Sequence, residues 1–372
     1  MKKKILILGC TGSIGTSTLN IVREFSDKFT VAGLTAYSSK EKLDNLSKEF
    51  DNAPSILLKD IDKEALDKFI KSCNPDIVVN GIAGAAGLLP SILVLNQGID
   101  LALANKETIV MAGSIVKKLA QKNNCKILPV DSEHSAIFSL IERYGNDSIH
   151  EIILTASGGP FREMPSEQLQ KVTASDALKH PTWNMGEKIT IDSASMANKG
   201  LEVIEACRLF NVSTDKVKVV VHPQSLVHSL IRTKDGVMYA QISPPDMRHP
   251  ILTALTWPEF VPNKLEQLNL ADGCSLTFSA PRLNDFPMLK LAYEVADKSG
   301  AYTIAYNAAN EIAVPLFLEG KILFTDIPKI TNEVISMNWS TEPVTIDDVF
   351  LFDNQARIKA KEVADKIMEG SF

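Results

Sequence analysis

A chain of 372 residues is too long for one ordinary hydrophobic core and points to about two or three domains. Its 45% hydrophobic and 23% charged residues suit a folded globular protein, and a net charge of −6 argues against a general nucleic-acid binder, which carries a basic face. The five cysteines, Cys10, Cys73, Cys125, Cys207 and Cys274, lack the clustering of a zinc site and fit a reducing cytoplasm, and no apolar run is long enough to span a membrane.

The opening stretch MKKKILILGCTGSIG has the charge and apolar character of a signal peptide, but its apolar part breaks at Thr11, Gly12 and Ser13, so it reads as a strand. Up to about residue 130, short apolar runs at 5–8, 29–36, 76–82, 98–104 and 126–130 alternate with helical patterns at 13–25, 85–97 and 106–123. Near-continuous apolar strands separated by helices predict a parallel sheet covered on both faces. A strand at 149–157 then leads into a Gly- and Pro-rich stretch, about 158–188, with the character of a lid. A helix over 193–210 and strands at 217–221, 225–232 and 237–242 follow. The expected organisation is a Rossmann-like α/β domain over 1–130, a central α/β domain over 131–256 containing the lid, a connector over 257–283 and a helical domain over 284–372.

Gly9, Gly12 and Gly15 sit directly after the first strand and open a helix, where backbone N–H groups can approach a pyrophosphate. A tight turn in some other α/β protein gives the same pattern. The second strand ends Ala36-Tyr37-Ser38-Ser39-Lys40, without the acid that binds a ribose 2′-hydroxyl, so NADP(H) is favoured over NAD(H). Lys40 suits either a 2′-phosphate contact or a solvated helix start.

Asp131 and Glu133 flank Ser132 beyond a strand end, and a period of two would put both carboxylates on one side. Glu202 and Glu205, three apart, would share a helix face. Acids without His or Cys spacing suit Mg²⁺ or Mn²⁺ better than zinc, and surface acids are the plainer alternative. DSASMANKG (192–200) offers Ser193, Asn198 and Lys199 as phosphate donors, although Asp and Ser at a helix start also serve as caps. His134, His180 and His228 stand among polar residues, and none claims a catalytic role by itself.

Taken together, GCTGSIG, GIAGAAGLLP, ANKET, LPVDSEHSAIF, ASGGPFR, HPTWNMG, DSASMANKGLE and HPQSLVHS occur in one order along essentially the whole chain. This series closely resembles the 1-deoxy-D-xylulose 5-phosphate reductoisomerases, NADPH-dependent enzymes of non-mevalonate isoprenoid synthesis. The resemblance implies a V-shaped homodimer subunit: an NADPH domain, a metal and substrate domain with a flexible lid, and a C-terminal helical bundle. It implies Asp131, Glu133 and Glu202 as metal ligands, leaving Glu205 a supporting acid. Ser157, His180, Ser193, Asn198 and Lys199 would take the substrate phosphate, and Lys106 and Ser132 the sugar chain. Trp183 and Met185 match lid residues, and His134 and His228 match positions near the reaction. Thr11, Gly12, Ser13, Ile14, Asn105, Glu107 and Gly186 match cofactor contacts. The chain departs from the family at Tyr37-Ser38-Ser39, where a Gly-Lys-Asn-like turn often meets the 2′-phosphate.

The activity so implied is a retro-aldol and aldol rearrangement of 1-deoxy-D-xylulose 5-phosphate, a sugar phosphate, followed by reduction to 2-C-methyl-D-erythritol 4-phosphate. Two competing readings are a metal-independent NAD(P) dehydrogenase and a non-catalytic redox sensor that binds NADP(H). Neither needs both the acids and the phosphate donors.

Overall fold

The computed structural model describes residues 1–183 and 185–370. In chain order it contains β1 (Lys3–Leu8), α1 (Ser13–Glu24), β2 (Phe29–Ala36), α2 (Lys40–Glu49), β3 (Ser55–Leu57), α3 (Lys63–Cys73), β4 (Ile77–Asn80), α4 (Leu88–Asn96), β5 (Asp100–Leu103), α5 (Lys106–Lys122), β6 (Ile127–Pro129) and α6 (Ser132–Tyr144). It continues with β7 (Ile149–Ala156), α7 (Ala174–Ala177), α8 (Glu187–Ala194), α9 (Ala197–Phe210), β8 (Val217–Val221), β9 (Val227–Thr233), β10 (Met238–Ile242), α10 (Arg248–Thr256), α11 (Pro287–Ala296), α12 (Tyr302–Leu318), α13 (Asp326–Ile335) and α14 (Ile346–Met368). Two compact units emerge, each built from three stretches of chain.

The first unit comprises Met1–Thr108, Ser114–Ser135 and Asp246–Glu266. Its sheet is parallel throughout, in the order β3-β2-β1-β4-β5-β6, the arrangement of a doubly wound dinucleotide-binding domain. Ile5 to Leu8 and Ile77 to Val79 have no exposure, because helices cover both faces, and this explains why their runs carry no polar alternation. The short strand β3 and the helices α2 and α3 add to the elements read from the sequence. A late stretch returns to this unit: α10 packs on α1, β5 and β6, and Lys3 Nζ donates to Leu255 O at 2.8 Å.

The second unit comprises Ile109–Gly113, Ala136–Pro245 and Gln267–Phe372. Its mixed sheet runs β10-β9-β7-β8, with β7 parallel to β8 and antiparallel to β9. Helices α11 to α14 pack together, with Tyr306, Ala305, Ala308 and Ala309 fully buried along α12. Where the sequence suggested one helix over 193–210, α8 and α9 are separated at Ser195 and Met196, and Met196 takes a left-handed φ of 63°. That conformation is uncommon for a side chain of this size and persists only where the surroundings enforce it. Helix α5 is likewise interrupted, at Ala112 (φ −136°, ψ 23°). There the Arg208 guanidinium of α9 donates to the carbonyls of Ile109 (3.1 Å) and Val110 (2.5 Å), which satisfies acceptors beside the interruption.

Candidate active site

The turn after β1 is built for close approach. Gly9 has φ 81°, where a side chain would be strained, and its own position faces the backbone of Gly81 at the end of β4. A Cβ at Gly15 would lie 2.4 Å from both Cys10 Cα and Gly9 O, so only glycine lets α1 sit this near the strand end. No side chain caps α1, whose N-cap is Gly12, so the N–H groups of Ser13 and Ile14 open onto the turn with the positive end of the helix dipole. Thr11 precedes that cap. At the end of β2, Tyr37 is 71% exposed, and Ser39 heads α2 without a side-chain cap. Lys40 pairs with Asp44 at 3.4 Å on the surface.

Asn105 ties the next crossover together. Its Nδ2 donates to Ile82 O (2.8 Å), Gly84 O (2.8 Å) and Glu107 Oε2 (3.0 Å), while its Oδ1 accepts from Thr108 N at 2.9 Å and so caps α5. The following residue, Lys106, is buried and reaches Asp131 Oδ2 with Nζ at 2.7 Å.

Asp131 stands between β6 and α6. Its Oδ1 accepts from the backbone N–H of Glu133 (3.1 Å) and His134 (3.3 Å) and faces His134 Nδ1 at 3.2 Å. Glu133 therefore lies in the first turn of a helix, where Ser132 Oγ donates to its Oε2. The period-two argument for placing Asp131 and Glu133 together does not hold. Asp131 acts as the helix cap, and capping ends the extended backbone that such a period requires.

Within the second unit, His180 Nε2 lies 3.0 Å from Ser157 Oγ and 3.1 Å from Ser193 Oγ. His180 Nδ1 accepts from Thr182 N (3.1 Å) and Trp183 N (2.9 Å), so the ring proton belongs on Nε2, facing the two hydroxyls. Burial, reinforced by the positive charge of Arg162, lowers the His180 pKa to about 4 and keeps the ring neutral. Asn198 Nδ2 donates to Glu202 Oε1 at 2.6 Å, and Lys199 pairs with Glu202 Oε2. Lys199, Glu202 and Glu205 are all buried on α9. Gly186 heads α8, Met185 precedes it, and Asn184 lies outside the described residues. His228, on β9, points Nε2 at Ser243 O (3.1 Å) and Oγ (2.9 Å), a partner in its own unit.

The named residues thus divide into two groups, one in each unit. Asn105, Lys106, Glu107, Asp131, Ser132, Glu133 and His134 belong to the first, and Ser157, His180, Ser193, Asn198, Lys199 and Glu202 to the second. The sequence suggests Asp192 as a helix-start cap, whereas it lies inside α8, and it does not mark Asn310. Asp192 and Asn310 are buried and hydrogen-bonded to each other at 2.7 Å, and the available signal was a polar side chain inside the alanine-rich pattern of α12.

A doubly wound parallel sheet with a glycine turn at its switch point, joined to a unit that collects acids and anion donors, defines a dinucleotide-dependent α/β oxidoreductase. Comparison with known proteins narrows the class. Models of 1-deoxy-D-xylulose 5-phosphate reductoisomerase match residues 5–63 and 59–113, its C-terminal domain model matches 127–210, and a further DXP reductoisomerase C-terminal domain model matches 242–359. The 1-deoxy-D-xylulose 5-phosphate reductoisomerase of Treponema denticola is 47% identical over 375 residues, covering 98% of each chain. That of Treponema pallidum is 44% identical, covering 96% of each. Among solved structures, the Zymomonas mobilis enzyme in complex with NADPH is 36% identical with a TM-score of 0.89, covering 98% of this chain and 99% of its own. A DOX-P reductoisomerase in complex with NADPH, fosmidomycin and magnesium is 36% identical with a TM-score of 0.90 and the same coverage. The chain belongs to the 1-deoxy-D-xylulose 5-phosphate reductoisomerase family.

Proposed function

We infer that this chain converts 1-deoxy-D-xylulose 5-phosphate and NADPH, with a proton, into 2-C-methyl-D-erythritol 4-phosphate and NADP⁺, and that it needs Mg²⁺ or Mn²⁺. The observation that carries this reading is a family match that runs from end to end of both chains.

The N-terminal glycine turn, with Thr11, Gly12, Ser13 and Ile14, holds the pyrophosphate, and Asn105, Glu107 and Gly186 complete the dinucleotide contacts. Tyr37, Ser38 and Ser39 take the place of a 2′-phosphate loop. Asp131, Glu133 and Glu202 are the metal ligands. Their donor set fits a hard divalent ion because all three are carboxylates, and the Lys106 and Lys199 ammoniums now paired with Asp131 and Glu202 would yield those oxygens to the ion. An ion held there would supply Lewis acidity toward the oxygens of the substrate.

The protein's own groups do the rest. Lys106 and Ser132 donate to the sugar chain. Ser157, neutral His180, Ser193, Asn198 and Lys199 grip the phosphate, remote from the reacting carbons, so its binding energy orients the chain and holds the fragments through the rearrangement. Trp183 and Met185 cover the substrate within the 158–188 lid, and His134 and His228 line the reacting end. The functional division follows: cofactor binding over 1–130, chemistry over 131–256, a connector over 257–283 and helical support over 284–372.

The enzyme acts as a cytoplasmic homodimer. Supporting this, β10 is an edge strand with Met238 and Ile242 exposed, a surface that invites pairing, and the cysteines are all free thiols. Among the described residues no helix is long and apolar enough to cross a membrane.

The decisive experiment is NADPH oxidation with 1-deoxy-D-xylulose 5-phosphate in the presence of Mg²⁺ or Mn²⁺ and after exhaustive chelation. Oxidation that requires both sugar phosphate and metal is expected. Undiminished activity after chelation would instead support a metal-independent dehydrogenase.

A further inference from the structure

Among the buried polar side chains of α12, Tyr306 and Asn310 lie one turn apart, beside alanines 305, 308, 309 and 313. Residues four apart share a helix face. Each meets one of the two helices that carry the proposed phosphate donors. A Cβ on Gly200 of α9 would lie 2.6 Å from the Tyr306 hydroxyl and 2.7 Å from Ala292 Cβ, so glycine lets α9 seat closely on α11 and α12. Asn310 Nδ2 donates to Asp192 Oδ1 of α8 at 2.7 Å.

Asp192 is 1% exposed, and Lys188, one turn earlier on α8, holds its other oxygen at 2.9 Å. That ion pair lies within α8, whereas the amide of Asn310 reaches the carboxylate from α12. The Oδ1 of the same amide has no hydrogen-bond partner among the described residues, a cost that an alanine would avoid. A hydrogen bond from α12 to the Asp192 carboxylate restrains the rotation and depth of α8. Successive residues on a helix point about 100° apart. With Asp192 held against α12, the neighbouring Ser193 is turned to His180 Nε2 at 3.1 Å. Immediately beyond, Met196 bends the chain through its left-handed conformation and delivers Asn198 and Lys199 on α9.

We propose that Asn310 is a positioning residue for the phosphate end of the substrate site: through Asp192 it sets the turn of α8 that presents Ser193 to His180 and Ser157. The inference rests on the reading of that serine–histidine cluster as the phosphate clamp.

The test uses the full chain with NADPH and Mg²⁺. Asn310→Ala is expected to raise KM for 1-deoxy-D-xylulose 5-phosphate about tenfold and to weaken inhibition by inorganic phosphate in proportion. It should leave kcat within about twofold and KM for NADPH unchanged. Ser193→Ala tests the clamp itself, and the double variant should be no worse than Ser193→Ala alone, because both changes remove one interaction. A loss in Ser193→Ala without any loss in Asn310→Ala overturns the positioning role and leaves the clamp standing. No effect from Ser193→Ala removes the clamp and the proposal with it. Additive effects in the double variant, or equal losses in kcat and in both KM values, also overturn it. Should Asn310→Ala not fold, as judged by NADPH binding, Asn310→Ser carries the same comparison.

Discussion

At the scale of single residues, the two groups solve the problem of buried charge differently. Asp131 is stabilised by an ammonium at 2.7 Å and two backbone N–H groups, so replacing it by Asn keeps the shape and a cap while removing the charge. Asp131→Asn is expected to lower kcat more than about a hundredfold and to leave NADPH affinity nearly intact, as read by steady-state rates and nucleotide fluorescence. Equal loss of both would place Asp131 outside the metal site. His180 is held neutral instead. Its folded-state pKa of about 4 lies below the ordinary 6.5, so between those values the unfolded chain takes up a proton that the folded chain refuses. The stability this group supplies is complete above pH 6.5 and is lost as pH falls toward 4. His180→Gln should flatten that part of the stability profile, measured as Tm near neutrality and near pH 5. Parallel profiles for variant and parent would show that the ring is not held neutral.

At the scale of elements, what was legible depended on whether packing or local chemistry decides the structure. The strands of the first unit stood out because burial on both faces leaves uninterrupted apolar runs, and GCTGSIG announced its turn because only glycine fits there. Gly15→Ala should cost about 1–3 kcal/mol, because its Cβ would overlap backbone rather than a movable side chain, and NADPH affinity should fall with the displaced helix. A thermal melt and a nucleotide titration that both match the parent would refute this. Other features were hidden. The break between α8 and α9 rests on a left-handed Met196, a conformation methionine does not advertise, so an unbroken helix was the natural reading. Asp131 carries a capping signal but directly follows a strand pattern, so the local sequence supports a cap and an extended continuation alike. The Asp192–Asn310 bond joins positions 118 apart in the chain, a pairing no local pattern displays.

At the scale of the whole molecule, composition already argued for free thiols, and their environments differ sharply. Burial pushes the Cys10 and Cys73 thiols up to about 11 and Cys207 up to about 12, and Cys274 alone of the five is exposed. A chromogenic disulfide reagent should therefore titrate one thiol quickly in the native enzyme and all five in denaturant, with Cys274→Ser abolishing the fast phase. Two or more fast thiols in the native state would contradict these burials. The first unit also predicts its own minimal fragment. Because α10 packs on α1, β5 and β6, a chain ending at residue 135 should fail to bind NADPH, as followed by nucleotide fluorescence.

The return of residues 246–266 to the first unit has a consequence for how the enzyme is made. A ribosome releases the chain from its N-terminus, so the glycine turn and its six-stranded sheet emerge early, yet α10, which packs on α1, β5 and β6, is still untranslated. At ordinary elongation rates this interval lasts on the order of ten seconds. During that time the apolar flank of α1 is without its cover, and most of the catalytic stretch must pass out of the exit tunnel before the nucleotide domain can close. Nascent chains of this enzyme should therefore be chaperone clients, and their first native NADPH site should appear only after Glu266 has cleared the ribosome.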